Sequence, residues 1–220
     1  MNNLFIVPAR GGSKRLPGKN IKSLCSKPLI SYTIEAAIHS EIKGRILVTT
    51  DEENIASTAL KHGAEVPFLR PSYLSDDQSK SIDVVTHAVE FYEGELNYTV
   101  DNIILLQPTS PLRTSKDIKT AFELYLKHDC FPVISVMERN LSGKYFIKNE
   151  EGYALKIDMN QEGYELNGAI YIIPRENLKQ GYFYKDRFIP YIMPYNKSID
   201  IDTAEDFALA KMYMEQGELK

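Results

Sequence analysis

The stretch IVPARGGSKRLPGKNIK, residues 6–22, holds five basic side chains, three glycines, two prolines and no acid. It starts inside an apolar run, LFIVPA, that reads as a strand, and it is followed by PLISYTIEAAIH, whose apolar spacing is helical. A strand, a glycine-rich basic loop and a helix in that order open an α/β fold and form the usual setting for a bound phosphate. Glycine lets the backbone come close and turn its N–H groups toward an anion, and each Lys or Arg adds charge. One unit charge about 4 Å from a phosphate oxygen contributes ~4 kcal/mol at an effective dielectric near 20, before desolvation. Arg10, Lys14, Arg15, Lys19 and Lys22 together suit a small, highly charged anion such as a triphosphate. Two familiar phosphate motifs are absent. A Walker loop needs a glycine where Ser13 stands and a hydroxyl residue where Asn20 stands, and no Gly-x-Gly-x-x-Gly follows the strand.

Apolar runs and helical patterns keep alternating beyond this loop. RILVTTD reads as a strand, ENIASTALKHG as a helix closed by Gly63, AEVPFLR as a short extended piece and SIDVVTHAVEFY as a helix. NIILLQP is a strand, and SKDIKTAFELYLKH is a helix opened by the capping box Thr114-x-x-Asp117. FPVISVM is a strand, GKYFIKNEEGYALKID a hairpin turning at KNEEG, NGAIYIIP a strand, Glu176 to Gln180 a short helix, and FIPYIMPY extended. SIDIDTAEDFALAKMYMEQ closes the pattern as a strand leading into a helix. Apolar strands separated by helices predict a parallel sheet covered on both faces, with ligands beyond the carboxyl ends of its strands. That rule gathers residues 8–20, Thr49 to Asp51 and Gln107 to Arg113 at one edge.

Length and charge narrow the function classes. The 220 residues suit a single α/β domain, and no run of 18 apolar residues marks a membrane span. The start of the chain reads as a strand and not as a signal peptide. Cys25 and Cys130 are the two cysteines, which points to a reduced, cytoplasmic protein with no disulfide framework. His39, His62, His87 and His128 lack metal-ligand spacing and read as helix residues. The net charge is −4, yet residues 1–34 carry six basic side chains and no acid, so the remainder sums to −10. One basic loop in an acidic chain points away from nucleic acid and toward a small anion.

The segments PARGGSKRLPGKNI, FLRPSYL, SIDVV, LLQPTSPLR, NGAIYI and DIDTAEDF occur in this order over about residues 4–208. Together they resemble the motifs of the acylneuraminate cytidylyltransferases, the CMP-sialic acid synthetases. The resemblance implies a Rossmann-like, three-layer α/β nucleotidyltransferase fold with a mainly parallel sheet. It implies one domain over residues 1–220 with an inserted dimerisation element near 140–166, and hence a homodimer. It implies transfer of CMP from CTP to the anomeric hydroxyl of a nonulosonic acid, release of pyrophosphate, and use of Mg²⁺. A nucleotidyltransferase for a different sugar or nucleotide, and a non-catalytic nucleotide-binding homologue, are the alternatives.

Carried onto this sequence, the resemblance assigns nucleotide contacts to Arg10, Gly11, Gly12, Ser13, Lys14, Lys19, Asn20, Arg70, Ser79 and Ser81. It assigns a sugar contact to Gln107, the metal to Asp200 and Asp202, and catalytic roles to Arg10, Lys19 and Asp202; Lys144 could serve where many members have a lysine, and Tyr164, Tyr171 and Phe183 could line the sugar pocket or belong to the core. Asp200 and Asp202 also make sense on their own: residues two apart in an extended segment share a side, and paired carboxylates beside a triphosphate suit Mg²⁺. Structural readings stand beside these. Ser79 and Ser81 could cap the helix SIDVVTHAVEFY, Asp202 could be the last helix's N-cap, and Thr203-x-x-Asp206 a capping box. Thr114 reads as a cap, Asp51 as a cap or hydrogen-bond acceptor, and Arg113 as either an anion ligand or a structural ion-pair partner. The acceptor end departs from the sialic acid enzymes. SVMERNLSGKYF lacks their His-Pro, and Glu165 stands where many have a basic residue. A carboxylate there repels a sugar carboxylate or accepts hydrogen bonds from an amino or hydroxyl group, which leaves legionaminic acid or another bacterial nonulosonic acid open as acceptor.

Overall fold

The first strand sets the layers. In order, the chain forms β1 (Asn3–Pro8), β2 (Ser23–Leu24), β3 (Lys27–Pro28), α1 (Leu29–Ile38), β4 (Gly44–Thr49), α2 (Glu53–Lys61), α3 (Ser81–Gly94) and β5 (Asn102–Leu105). It continues with α4 (Ser115–Lys127), β6 (Val133–Asn140), β7 (Gly143–Lys148), β8 (Ala154–Met159), β9 (Glu162–Pro174), α5 (Arg175–Lys179), β10 (Ile189–Ile192) and α6 (Ala204–Glu215). This is a computed structural model; it describes residues 1–76, 78–140, 143–148, 154–159 and 162–217, with side chains described outside 140–162. In β1, Phe5 and Val7 point to one face and meet α1, α2 and α4; Leu4 and Ile6 point to the other and meet α3 and α5. All four are fully buried, so the period-two alternation feeds two cores and gives three layers.

Among the described residues the main sheet runs β10-β6-β9-β5-β1-β4. β1 is parallel to both neighbours, with Ile6 opposite Leu47 and Leu105, and β10 is parallel to β6. β9 is antiparallel to β5 and β6, so the sheet is mainly and not wholly parallel. The β6–β9 register shifts between Ile134 and Val136, and opposite this irregularity Gly168 takes φ +75°. Beyond it, β6 and β9 continue as a two-stranded arm, and β7 pairs antiparallel with β8 as the hairpin pattern predicts. The dimerisation element expected near 140–166 includes side chains outside the described residues.

Two expectations are corrected. The basic loop does not run straight into α1: a 3₁₀ turn at Lys19–Ile21 and the short β2–β3 hairpin come between. SIDID forms no strand, because among the described residues a single backbone–backbone bond ties it to a neighbouring segment, Ile201 N–H to the Thr109 carbonyl at 2.8 Å. Its alternation still holds: Ile199 and Ile201 are buried in a third apolar cluster under α6, while Asp200 and Asp202 turn outward. Both capping boxes form, Thr114 with Asp117 on α4 and Thr203 with Asp206 on α6.

Candidate active site

A cleft of about 620 Å³ opens beyond the carboxyl ends of β1 and β5. The basic loop forms one wall with Arg10, Ser13, Lys14, Arg15, Lys19 and Asn20. Arg70, Ser79 and Ser81 close one end, and Gln107, Thr109, Gly168, Asp200 and Asp202 form the opposite wall. The two walls touch. Lys19 Nζ lies 2.9 Å from Asp202 Oδ1 and 3.0 Å from the Ile201 carbonyl, and Arg15 Nη2 lies 2.7 Å from Asp202 Oδ2. Gly18, at φ +65°, makes the left-handed turn that aims Lys19 across the cleft, a conformation costly for other residues.

The basic loop is braced from beneath. Asn20 Nδ2 donates to the Arg10 carbonyl at 2.9 Å, and Gly11 N–H donates to Asp51 Oδ1 at 3.0 Å. Asp51 thus serves as a structural acceptor after β4. Ser13 N–H is engaged with the Gly11 carbonyl at 2.8 Å. Gly11 and Ser13 N–H are therefore occupied within the loop, and Gly11 and Gly12 do not line the cleft. What Gly11 provides is close approach: a Cβ there would lie 2.5 Å from Glu52 Oε2. Asn20 Oδ1, by contrast, is buried on the cleft wall with no hydrogen-bond partner among the described residues.

Arg70 is buried, donates through Nε to Ser75 Oγ at 3.1 Å, and has Nη2 3.7 Å from Asp51. Burial pulls its pKa down, Asp51 opposes that, and the neighbouring positive charge of Arg10 adds to it. An anion between the two side chains would offset that repulsion. Neither serine caps α3: the N-cap is Lys80, with no side-chain cap bond. Ser79 Oγ instead donates to the Tyr73 carbonyl and Asp76.

On the acidic wall, Asp200 opens to the cleft but is ringed by protein. That burial pushes its pKa up, Thr109 and Lys19 oppose it, and Asp202 and Asp206 reinforce it. Gly168 sits between Asp200 and Gln107; a Cβ there would lie 4.0 Å from Asp200 Oδ2 and 4.0 Å from Gln107 Cγ. Arg113 proves structural. It is fully enclosed, donates through Nη1 to the carbonyls of Gln107 (3.2 Å) and Ala169 (3.1 Å), and burial pulls its pKa down to about 9. It ties the loop after β5 to β9.

Tyr171 lies outside the cleft wall, its ring against Phe183 at 5.8 Å between centroids. Burial raises its hydroxyl pKa, with Tyr184 and Asp200 adding to the effect. The side chain of Lys144, on β7, lies outside the described residues. Glu165 is taken by Arg139 in an ion pair on the β6–β9 arm.

The profile of the family named Cytidylyltransferase matches residues 4–218. The chain belongs to the cytidylyltransferase family. This cytidylyltransferase is therefore an enzyme of the nucleotidyltransferase type. It is 34% identical to a pseudaminic acid cytidylyltransferase of Campylobacter jejuni, over 96% of each chain. It is 38% identical to a CMP-N,N'-diacetyllegionaminic acid synthase of Legionella pneumophila, over 98% of this chain and 97% of that one. An N-acylneuraminate cytidylyltransferase of Streptococcus agalactiae matches at 37% over 94% of this chain and 52% of its own. A CMP:2-keto-3-deoxy-manno-octonic acid synthetase solved with CTP shares the fold, with a TM-score of 0.73, 16% identity, and 99% and 100% of the two chains covered.

Sequence reasoning missed several parts of the cytidylyltransferase cleft. Thr109, bonded to Asp200, lies within the quoted motif LLQPTSPLR but drew no role, and Gly168 lies within NGAIYI. A glycine at the head of the apolar run AIYII, inside a strand pattern, was the available signal for Gly168. Arg15 was counted as charge only; nothing local in the sequence pairs it with Asp202, 187 residues away.

Proposed function

We propose that this enzyme transfers the CMP moiety of CTP to the anomeric hydroxyl of a nonulosonic acid, a nine-carbon 2-keto acid sugar, with release of pyrophosphate. The observation that carries this reading is the cleft itself: two cations of the loop after β1, Arg15 and Lys19, meet the Asp202 carboxylate before α6 at 2.7 and 2.9 Å. A nucleoside triphosphate laid along the basic wall brings its α-phosphate toward the acidic one. The relatives named above act, by their names, on three different nonulosonic acids at similar identity to this chain, so the acceptor is proposed as the class.

Each residue then has a task. Arg10, Lys14 and Arg70 hold the triphosphate, and Arg10 and Lys19 offset the charge that grows on departing pyrophosphate. Asn20 Oδ1, buried and unpartnered, accepts a hydrogen bond from a ribose hydroxyl, which removes the cost of leaving it unsatisfied. Ser79 and Ser81 border the base and ribose, and Gln107 faces the acceptor, with Lys144 in a further acceptor role; Tyr171, packed against Phe183 outside the cleft wall, is left to the core. The anomeric oxygen attacks the α-phosphorus, the bond to the β-phosphate oxygen breaks, and the acceptor's proton leaves toward the acidic wall.

Asp200 and Asp202 are proposed to hold Mg²⁺. The donor chemistry fits: two hard carboxylates on one wall, with Lys19 and Arg15 standing as cations on Asp202. Mg²⁺ prefers one or two carboxylates completed by phosphate oxygens to an all-protein cage, and among the described residues no group of three or more acidic, His or Cys ligands forms one. When bound, the ion would supply positive charge that offsets the charge of the triphosphate. The enzyme is further proposed to be a cytoplasmic homodimer joined through residues 140–166. Supporting the dimer, Tyr164 and Leu166 lie two apart on β9, share a face, and are exposed.

Pyrophosphate release, measured with each of the four NTPs against a panel of nonulosonic acids and an eight-carbon keto acid sugar, tests the proposal. CTP with a nonulosonic acid is expected to be productive. Tight CTP binding without turnover on any sugar, or turnover confined to another nucleotide or to the eight-carbon sugar, would replace it.

A further inference from the structure

We propose that Arg15 is an internal counter-ion that occupies Asp202 until a triphosphate draws it away, so that nucleotide and divalent cation bind this enzyme cooperatively. The inference rests on the assignment of Asp200 and Asp202 as cation ligands. Both oxygens of Asp202 are held by protein cations: Oδ1 by Lys19 Nζ at 2.9 Å and Oδ2 by Arg15 Nη2 at 2.7 Å. A divalent cation approaching Asp202 meets both positive charges and is repelled by them.

The two cations differ in how they are held. The Lys19 side chain is tucked in, 15% exposed, and is also fixed by the Ile201 carbonyl. The Arg15 side chain is 70% exposed, so it can swing without uncovering core. A purely structural role for the Arg15–Asp202 pair is already filled by other bonds. Thr203 and Asp206 form the capping box that fixes the start of α6, and Asp202 N–H donates to Asp206 Oδ2 at 3.1 Å. Arg15 also stands on the same wall as Arg10 and Lys14, where a triphosphate offers several oxygens to a guanidinium fork in exchange for one carboxylate. Transfer of Arg15 to the nucleotide removes its charge from Asp202 and leaves Oδ2 open. By linkage, whatever factor the nucleotide adds to cation affinity, the cation adds to nucleotide affinity.

Binding of Mn²⁺, followed by the electron paramagnetic resonance signal of the free ion, tests this without any turnover. Wild type, Arg15→Ala and Arg15→Lys are titrated alone and with saturating CTP, with no acceptor sugar present. Without nucleotide, Arg15→Ala is expected to bind Mn²⁺ about two- to five-fold tighter than wild type, the range of an exposed ion pair, with Arg15→Lys in between. With CTP the difference should vanish, so that the coupling between Mn²⁺ and CTP is smaller in Arg15→Ala by the same factor. Equal Mn²⁺ affinities in the absence of CTP, with nucleotide-dependent binding intact in all three proteins, would overturn the role of Arg15 and leave the carboxylate assignment standing. No Mn²⁺ binding in any of them, even with CTP, would remove both.

Discussion

Asp200 faces the cleft and is proposed as a cation ligand. Its carboxylate is ringed by protein near Asp202 and Asp206, and its pKa is raised. An acid whose folded pKa exceeds its unfolded value of 3.8 keeps more protons when folded, so stability falls as pH rises through that interval, and the ionised group is a liability at neutral pH. Asparagine has the same shape, can keep the Thr109 contact and carries no charge. Asp200→Asn is therefore expected to unfold in denaturant at the wild-type midpoint or slightly above it. Its turnover at saturating CTP should fall about a hundred-fold or more, roughly 3 kcal/mol of transition-state stabilisation. Near-normal turnover would withdraw the cation assignment. The spacing of Asp200 and Asp202 was visible in the sequence. The enclosure that raises one pKa was not, because Thr109 and Gly168 reach Asp200 from 91 and 32 positions away.

At the scale of elements, α4 illustrates a local signal with a remote extension. Thr114-x-x-Asp117 is readable as a capping box, and the box forms. Yet Asp117 also receives Lys197 Nζ at 3.1 Å and the Tyr191 hydroxyl at 3.1 Å, which join α4 to β10 and the turn before Asp200. Burial works to raise the Asp117 pKa, but hydrogen bonds from Thr114 and the charge of Lys197 outweigh it and hold it below 3.8. A depressed acid contributes stability above its unfolded pKa and loses it as pH falls through the folded one. Asp117→Asn leaves a half-paired, mostly buried lysine and weakens the cap. We expect a loss of about 3 kcal/mol in denaturant unfolding at pH 7. The gap from wild type should narrow as pH drops below 3.8. A gap that stays constant into acid would mean that the charge on Asp117 contributes nothing.

For the whole molecule, assembly is the open prediction. The β6–β9 arm leaves the main sheet carrying Tyr164 and Leu166, 55% and 41% exposed, on one face. In the proposed dimer a second copy of the chain would cover these apolar side chains. Sedimentation equilibrium is expected to return about twice the 25.1 kDa chain mass, and Tyr164→Ser combined with Leu166→Ser should shift it toward one chain. A wild-type monomer at micromolar concentration would refute the dimer.

The sequence by itself determined the α/β class, the capped helices, the basic loop and the outward-facing pair of acids. Each of these rests on short-range chemistry: side-chain period, glycine freedom and residues a turn apart. Tertiary structure alone decided that β9 runs antiparallel through the sheet, that SIDID forms no strand, and that Arg113 is a buried tie. It also brought Arg15 and Lys19 onto Asp202 across more than 180 residues. Those outcomes depend on which segments the shared core brings side by side, and burying both faces of β1 under helices is a property of the folded chain, not of any local stretch.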